Sequence, residues 1–299
     1  MIIIERSEIN EKYWNDCISG SNSDLIYGYS WYLDEICPNW KGIVVVGKNK
    51  YEACFPITWN KKWGIKYIYP PFFAQQLGLF SSNENYNVDK FLRIIRKEYR
   101  FAEFYLNHTN QGRSLRVKNN QILRLDKSYQ ELHSDYRSNH QRNIKRNKAK
   151  IRIEEGTAVL PIIELFRNDR GKNVKTLKGV HYKMFEKTCS VVQEKGKLLV
   201  LNAFNENNNL LVGAVFFIHQ NRITFMFSGN SEEGKKRTAL FILLDNLIKE
   251  YANTKYVLDF EGSNIAGVRR FYKGFGAVDE QYFFKKINNL RFPFNYLKK

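Results

Sequence analysis

The chain has 299 residues, 43% hydrophobic and 15% aromatic, which is ample for a packed core and excludes a chain disordered throughout. Its formal charge of +18 points to a polyanionic partner: nucleic acid, a phosphate-bearing donor, or an anionic surface touched peripherally. Lysine-rich coding drift is the competing explanation, and it accounts for the lysines better than for the shortage of acids.

Taken in chain order, Gly42 to Val46 reads as a strand, "GKNK" as a hairpin turn, and "YEACFPIT" as a strand that is at an edge or irregular because of Pro56. "IKYIY" is a third strand. A long loop runs from Pro70 to about Asn87, and loops of that length usually have a function. Val88, Phe91, Leu92, Ile95 and Tyr99 then mark a helix, followed by the strands "FAEFYLN" and "QILRL". Leu132, Tyr136, His140 and Ile144, spaced by four, predict helix in the next segment. Arg137, Arg142, Lys145, Arg146, Lys148, Lys150 and Arg152 crowd that segment without an acid among them. Like charges at helical spacing repel, so acidic neighbours or a bound anion must offset them.

"KLLVLNAF", "LLVGAVFFI" and "RITFMFS" are three strands joined by the turns "NENNN" and Gln220-Asn221. "GNSEEGKKR" is a polar loop. Leu240, Leu243, Leu244, Leu247, Ile248 and Tyr251 fall at i, i+3, i+4, i+7, i+8 and i+11, the stripe of an amphipathic helix. "KYVLDF" is a strand, "NIAGVRRFYK" a short helix and "AVDEQYFFKK" a last strand. The order in this half repeats that of the first, so the chain is expected to hold two copies of one α/β unit, residues 1–125 and 126–299, with the last ~15 residues packing back on the first. Cys17, Cys37, Cys54 and Cys189 form no C-x-x-C pair; reduced thiols in a cytoplasmic protein are expected. Charge enters at Glu5 and the longest apolar run is Leu210 to Ile218, so neither a secretory leader nor a membrane span is expected.

Strand, anion-friendly loop, helix and diverging strand resemble the core of the GNAT acyltransferases, whose loop reads Q/R-x-x-G-x-G/A and cradles a pyrophosphate. In "SEEGKKR", Gly234 matches the first glycine, but Lys236 stands where the second belongs. "LDFEGSNIAGVRRFYKGFGA" resembles the C-terminal signature of the FemAB/FemX family through Asp259, Phe260, Gly262, Ser263, Lys273, Phe275 and Gly276, with one residue fewer between Lys273 and Phe275. "RSNHQRNIKRNKAK" is similar to a basic helix of that family. The resemblance implies two tandem GNAT-like domains, each a mixed, largely antiparallel twisted sheet with flanking helices. It implies transfer of an acyl or aminoacyl group to an amine, from acyl-CoA or aminoacyl-tRNA as co-substrate. The acceptor would be a small molecule or peptide, and in well-known members it is a cell-envelope precursor. The family's third strand often carries a tyrosine where this chain has Phe225 and Phe227.

By the same resemblance Lys273 would neutralise the oxyanion or a donor phosphate; a lysine lying over aromatics is the bland alternative. Asp259 and Glu261 sit at a strand's C-terminal end, where α/β sheets place ligand contacts, and either could take the amine's proton. Asp259 could instead be a cap or the partner of Arg269 or Arg270, and Ser263 could cap the following helix. Ser228, Lys235, Lys236 and Arg237 precede a helix N-terminus and, with Arg142, are the donor-side candidates. Lys61, Lys62 and Lys66 interleave with Trp59, Trp63, Tyr67 and Tyr69, a mixture that suits stacking on a nucleotide or sugar. Trp31, Tyr69, Gln75 and Gln76 are the acceptor-side candidates. No Ser-His-Asp or Cys-His set appears, and no histidine pair has metal spacing, so no metal is expected. The alternative to an enzyme is a non-catalytic nucleic-acid-binding module on a degenerate transferase fold, carried by the basic segment Arg137 to Arg152.

Overall fold

The computed structural model describes residues 1–262 and 264–292, so the expected cap Ser263 and the end of the C-terminal tail lie outside the described residues. The chain forms two compact units. One is Met1–Lys118 together with the segment that starts at Gln281, and the other is Asn119–Glu280.

In the first unit β1 (Ile2–Glu5), α1 (Glu11–Ser19), α2 (Ser30–Ile36), β2 (Lys41–Gly47) and β3 (Lys50–Ile57) precede the hairpin β4 (Trp59–Lys62) and β5 (Ile65–Ile68). Then come α3 (Val88–Glu98), β6 (Phe101–Leu106) and β7 (Arg116–Arg124), the last running into the second unit. β1, β2 and β3 form an antiparallel sheet with β3 at its edge, where Pro56 is tolerated because it needs no second ladder partner. α3 buries Val88, Phe91, Leu92 and Ile95 against a core that holds Phe55, Phe104 and Leu106.

The second unit continues with α4 (Tyr129–Ser134), α5 (Ser138–Asn147), β8 (Arg152–Gly156), α6 (Leu160–Asn168), α7 (Gly179–Lys195) and β9 (Lys197–Phe204). β10 (Leu210–His219), β11 (Arg222–Asn230), α8 (Glu232–Lys236), α9 (Ala239–Tyr251), β12 (Val257–Asp259), α10 (Ala266–Lys273) and the start of β13 (Val278–Asn288) complete it. Its strands lie in the order β7-β12-β11-β10-β9-β8, all antiparallel neighbours except β11 and β12, which are parallel. In the first unit β13 pairs antiparallel with β6, and β6 pairs parallel with β5.

The helix expected from Leu132 to Ile144 is two helices. α4 opens with a capping box between Ser128 and Glu131, and the chain turns before Arg137, whose N–H bonds the Gly274 carbonyl at 2.9 Å. Leu132, Tyr136, His140 and Ile144 are all buried despite the break. The loop expected at "SEEGKKR" is wound into α8, capped by Ser231, which accepts the Gly234 N–H at 3.0 Å. α9 starts from Thr238 in the left-handed region, φ +55°. That backbone costs about 1–3 kcal/mol, and burial of Ile242, Leu243, Leu244, Leu247 and Ile248 offsets it several times over at roughly 1.5–3 kcal/mol per side chain. Among the described residues no helix is long and apolar enough to cross a membrane.

Candidate active site

β11 and β12 run side by side for three register pairs, Arg222 with Val257, Ile223 with Leu258 and Thr224 with Asp259. There β12 stops while β11 continues to Asn230. The stop is local chemistry. Asp259 Oδ1 accepts the Glu261 N–H at 2.8 Å, a side-chain turn, and Glu261 takes φ +48°. Gly262 then lies so close to β7 that a Cβ there would sit 2.5 Å from Asn120 Cα. On its other side β11 slips register against β10 between Val215 and Phe216, which leaves Met226 as an extra residue. Such a bulge bends its strand and leaves a residue out of the ladder.

A cleft of about 590 Å³ opens where the two strands part. Phe225, Met226, Phe227 and Ser228 of β11 form one side. Gly267, Val268, Phe271 and Tyr272 of α10 form another. Phe166, Asp169 and Arg170, at and beyond the end of α6, come to its rim, as do Lys235 and Thr238. Glu261 also lines it. Tyr272 stacks on Phe260 at 4.7 Å. Burial, and then the charge of Glu261, push its phenol above the ordinary range, and Arg170 partly opposes them. Lys235 bonds Asp169 at 2.6 Å and Glu232 at 2.8 Å, and these bonds raise its pKa, Asp169 first. Arg170 forms no ion pair among the described residues.

Of the expected catalytic residues, Glu261 is in the cleft. Asp259 is not: it is buried beneath it, ion-paired with Arg222 and accepting from Asn120 Nδ2 at 2.9 Å. Arg222 also bonds Glu280 at 3.0 Å, so the partner of Asp259 is neither Arg269 nor Arg270. Lys273 does not line the cleft either. Residues 267, 268, 271 and 272 of α10 face it, whereas Arg269 and Lys273 leave the helix on the side of Asp279, which Lys273 Nζ meets at 2.8 Å. Those two cations, Arg269 first, hold the Asp279 carboxyl well below the usual carboxylate range.

Of the donor-side candidates, Ser228 and Lys235 reach the cleft and Lys236, Arg237 and Arg142 do not. Arg237 is turned to Glu206 at 2.7 Å and Glu233 at 2.8 Å, and Arg142 is exposed on α5. The N–H groups of Gly234, Lys235, Arg237 and Thr238 are spent within the α8 segment, on Ser231, Glu233 and Lys235. Gly234 serves packing, since a Cβ there would sit 2.2 Å from the Leu211 carbonyl oxygen.

The acceptor-side candidates belong to the first unit. Gln76 is fully buried, accepting from His108 N at 3.1 Å and donating to Gln75 at 2.8 Å. Tyr69 donates to Cys37 Sγ at 3.6 Å and lines a cavity too small for a substrate. Trp31 is half-buried beside Tyr29 and Tyr32. Asp169, Arg170 and Tyr272 are cleft residues that the sequence reading did not single out. "NDRGKN" has no apolar period to place it, and Tyr272 is one of several aromatics in α10.

No protein-family model matches the sequence, and no curated protein matches it. Among solved structures, FemX is similar over 100% of both chains, with a TM-score of 0.69 and 10% identity. A tandem GNAT protein from the clavulanic acid biosynthesis pathway is similar over 97% of this chain and 99% of its own, at 0.57 and 9%. The C-terminal domain of a putative lysylphosphatidylglycerol synthetase from Agrobacterium fabrum is similar over 95% and 93%, at 0.56 and 11%. The shared property is the fold: mixed α/β sheets with helices, in the FemX-like, tandem GNAT arrangement.

Proposed function

We propose that the chain is an N-acyltransferase. It moves an acyl or aminoacyl group from an activated donor, aminoacyl-tRNA or acyl-CoA, to an amine on a small-molecule or peptide acceptor such as a cell-envelope precursor. The observation that carries this reading is the cleft at the divergence of β11 and β12, with the bulge at Met226 on one side and Glu261 and Tyr272 on the other. An ester or thioester is already reactive, so positioning supplies much of the rate and no protein nucleophile is needed. The amine nitrogen attacks the carbonyl carbon and its proton passes to Glu261. The oxyanion collapses, the C–O or C–S bond breaks, the leaving group takes a proton from Tyr272, and the phenolate is reprotonated by the proton that Glu261 received. A phenol with a raised pKa keeps its proton until then. Arg170 and Lys235 at the rim meet the donor's phosphates.

Between donors, the wound α8 segment lacks the open row of N–H groups that a pyrophosphate would use. The charge of +18 favours an aminoacyl-tRNA. Both donors are cytoplasmic compounds, and four free buried cysteines suit that compartment. The second reading, a nucleic-acid-binding module without catalysis, is favoured by the exposed, unpaired Arg142, Lys145 and Arg146 of α5.

The test presents labelled bulk aminoacyl-tRNA and acyl-CoA with a panel of amines to wild type, Glu261→Gln and Tyr272→Phe. The expected result is transfer by wild type from one donor class and a loss of about 10²-fold or more in each variant, the range for removing a general acid or base, at unchanged melting temperature. Transfer at the wild-type rate in both variants rejects the assignment, and binding of tRNA without turnover supports the module.

A further inference from the structure

The first unit carries a concavity of about 840 Å³ bounded by α3, the loop before β7, and β13. Lys90, Arg93 and Arg96 line it from α3, Arg113 from the loop, and Lys285 and Lys286 from β13. The three α3 cations recur every third residue, on the side left over once Val88, Phe91, Leu92 and Ile95 are buried. The loop is held in place. Lys285 Nζ donates to the carbonyls of Arg113 at 3.1 Å and Ser114 at 3.3 Å. Gly112 lies where a Cβ would sit 2.8 Å from Val88 Cγ1. The one carboxylate lining the groove, Asp89, faces the Arg113 backbone N–H at 3.2 Å, and Lys286 is paired with Glu103 at 3.1 Å. Lys90, Arg93, Arg96 and Arg113 have no ion pair among the described residues.

Four cations without an ion pair around one trough repel one another, and folding gathers them with a single carboxylate, Asp89, among them. Shape selects the anion. A flat bilayer face cannot enter a groove, and the apolar residues that line this one, Leu92 and Ile287, are buried rather than exposed as membrane prongs. A lone phosphate would meet a fraction of the charges, whereas a phosphodiester strand carries a row of them. We propose that this groove binds the phosphodiester backbone of a nucleic-acid strand, by charge and without reading bases. The inference goes beyond the acyl-transfer reading and does not depend on it.

The experiment is fluorescence anisotropy of a short labelled single-stranded RNA, and DNA of the same sequence, against the full chain across a salt series. Wild type is expected to bind at low salt, with log affinity falling linearly in log salt. Arg93→Glu/Arg96→Glu is expected to bind at least tenfold more weakly, with the salt slope shallower by about 1.4, two single-strand contacts at about 0.7 each. Arg93→Gln/Arg96→Gln, with the same slope change, is the measurement if the glutamate pair does not fold. Lys48→Gln/Lys50→Gln, exposed at the turn between β2 and β3, is expected to retain binding, and Arg142→Gln/Lys145→Gln tests the rival basic segment of α5. The proposal is overturned if wild type binds neither strand, if the α3 variants bind with unchanged affinity and slope, or if only the α5 variant loses binding. Attachment to anionic phospholipid vesicles with no binding of either strand also overturns it. Because the readout is binding, it stands or falls apart from the cleft variants, which report transfer.

Discussion

Replacing Asp259 by Asn separates support from chemistry beneath the cleft. Asparagine keeps the shape, and its Oδ1 still accepts the Glu261 N–H and Asn120 Nδ2, so the turn after β12 survives. Its amide would meet the Arg222 guanidinium donor to donor, and the arginine would lose a partner that is 1% exposed. Removing one member of a buried pair costs about 3–5 kcal/mol. Glu280 stays against Arg222 at 3.0 Å, so the expected loss is near the lower end, about 3 kcal/mol. At roughly 2–4 °C per kcal/mol for a unit of this size, the melting temperature should fall by roughly 6–12 °C. All five tryptophans lie before residue 119, so thermal unfolding is followed by scanning calorimetry, which registers the second unit, and transfer is assayed well below the transition. Folded Asp259→Asn should transfer within a few-fold of wild type. A variant with an unchanged melting temperature and no transfer would refute the structural role and restore Asp259 as the base.

Two further outcomes follow from the same unit. A Gly274→Ala side chain would meet His140 Cε1 at 1.9 Å. It must push the imidazole off its 2.8 Å contact with the Phe271 carbonyl, so a stability loss toward the upper end of the ~1–3 kcal/mol range for overpacking is expected, read by denaturant unfolding. Asp279 is held below its ordinary carboxyl pKa by Arg269 and Lys273. Its folded pKa is the lower one, so its contribution is fully present above the unfolded value of about 3.9 and is lost as pH falls below it. Stability measured from pH 5 downward should therefore fall less steeply in Asp279→Asn than in wild type; parallel curves would deny the linkage.

What could be read in advance divides by physics. β10 is an unbroken apolar run and α9 an apolar stripe at helical period, so burial alone dictates both. α7 is less plain: its buried positions are Tyr182, Phe185, Thr188, Cys189 and Val192, a line that mixes ring, hydroxyl and thiol. β4 hides in "WNKKWG" because its turn places Trp63 at φ +50° and Gly64 at φ +78°, and tryptophan is no ordinary signal for a left-handed turn position. At the site, Glu261 and Lys235 were legible from their place after a strand and before a helix. Lys273 was legible as a residue but not as a direction. One helical step separates it from Tyr272, which is enough to send one side chain to Asp279 and the other to the cleft. Arg170 depends on where a non-periodic turn lands.

The three-rung ladder between β11 and β12 makes the cleft a wedge with a fixed apex. Arg222 and Asp259 clamp that apex, and Glu261 rides on the free limb just past it. A small rotation at the clamp is magnified along the limb, so substitutions at Arg222 or Asn120, neither of which lines the cleft, should alter which acyl group fits before they alter whether transfer occurs.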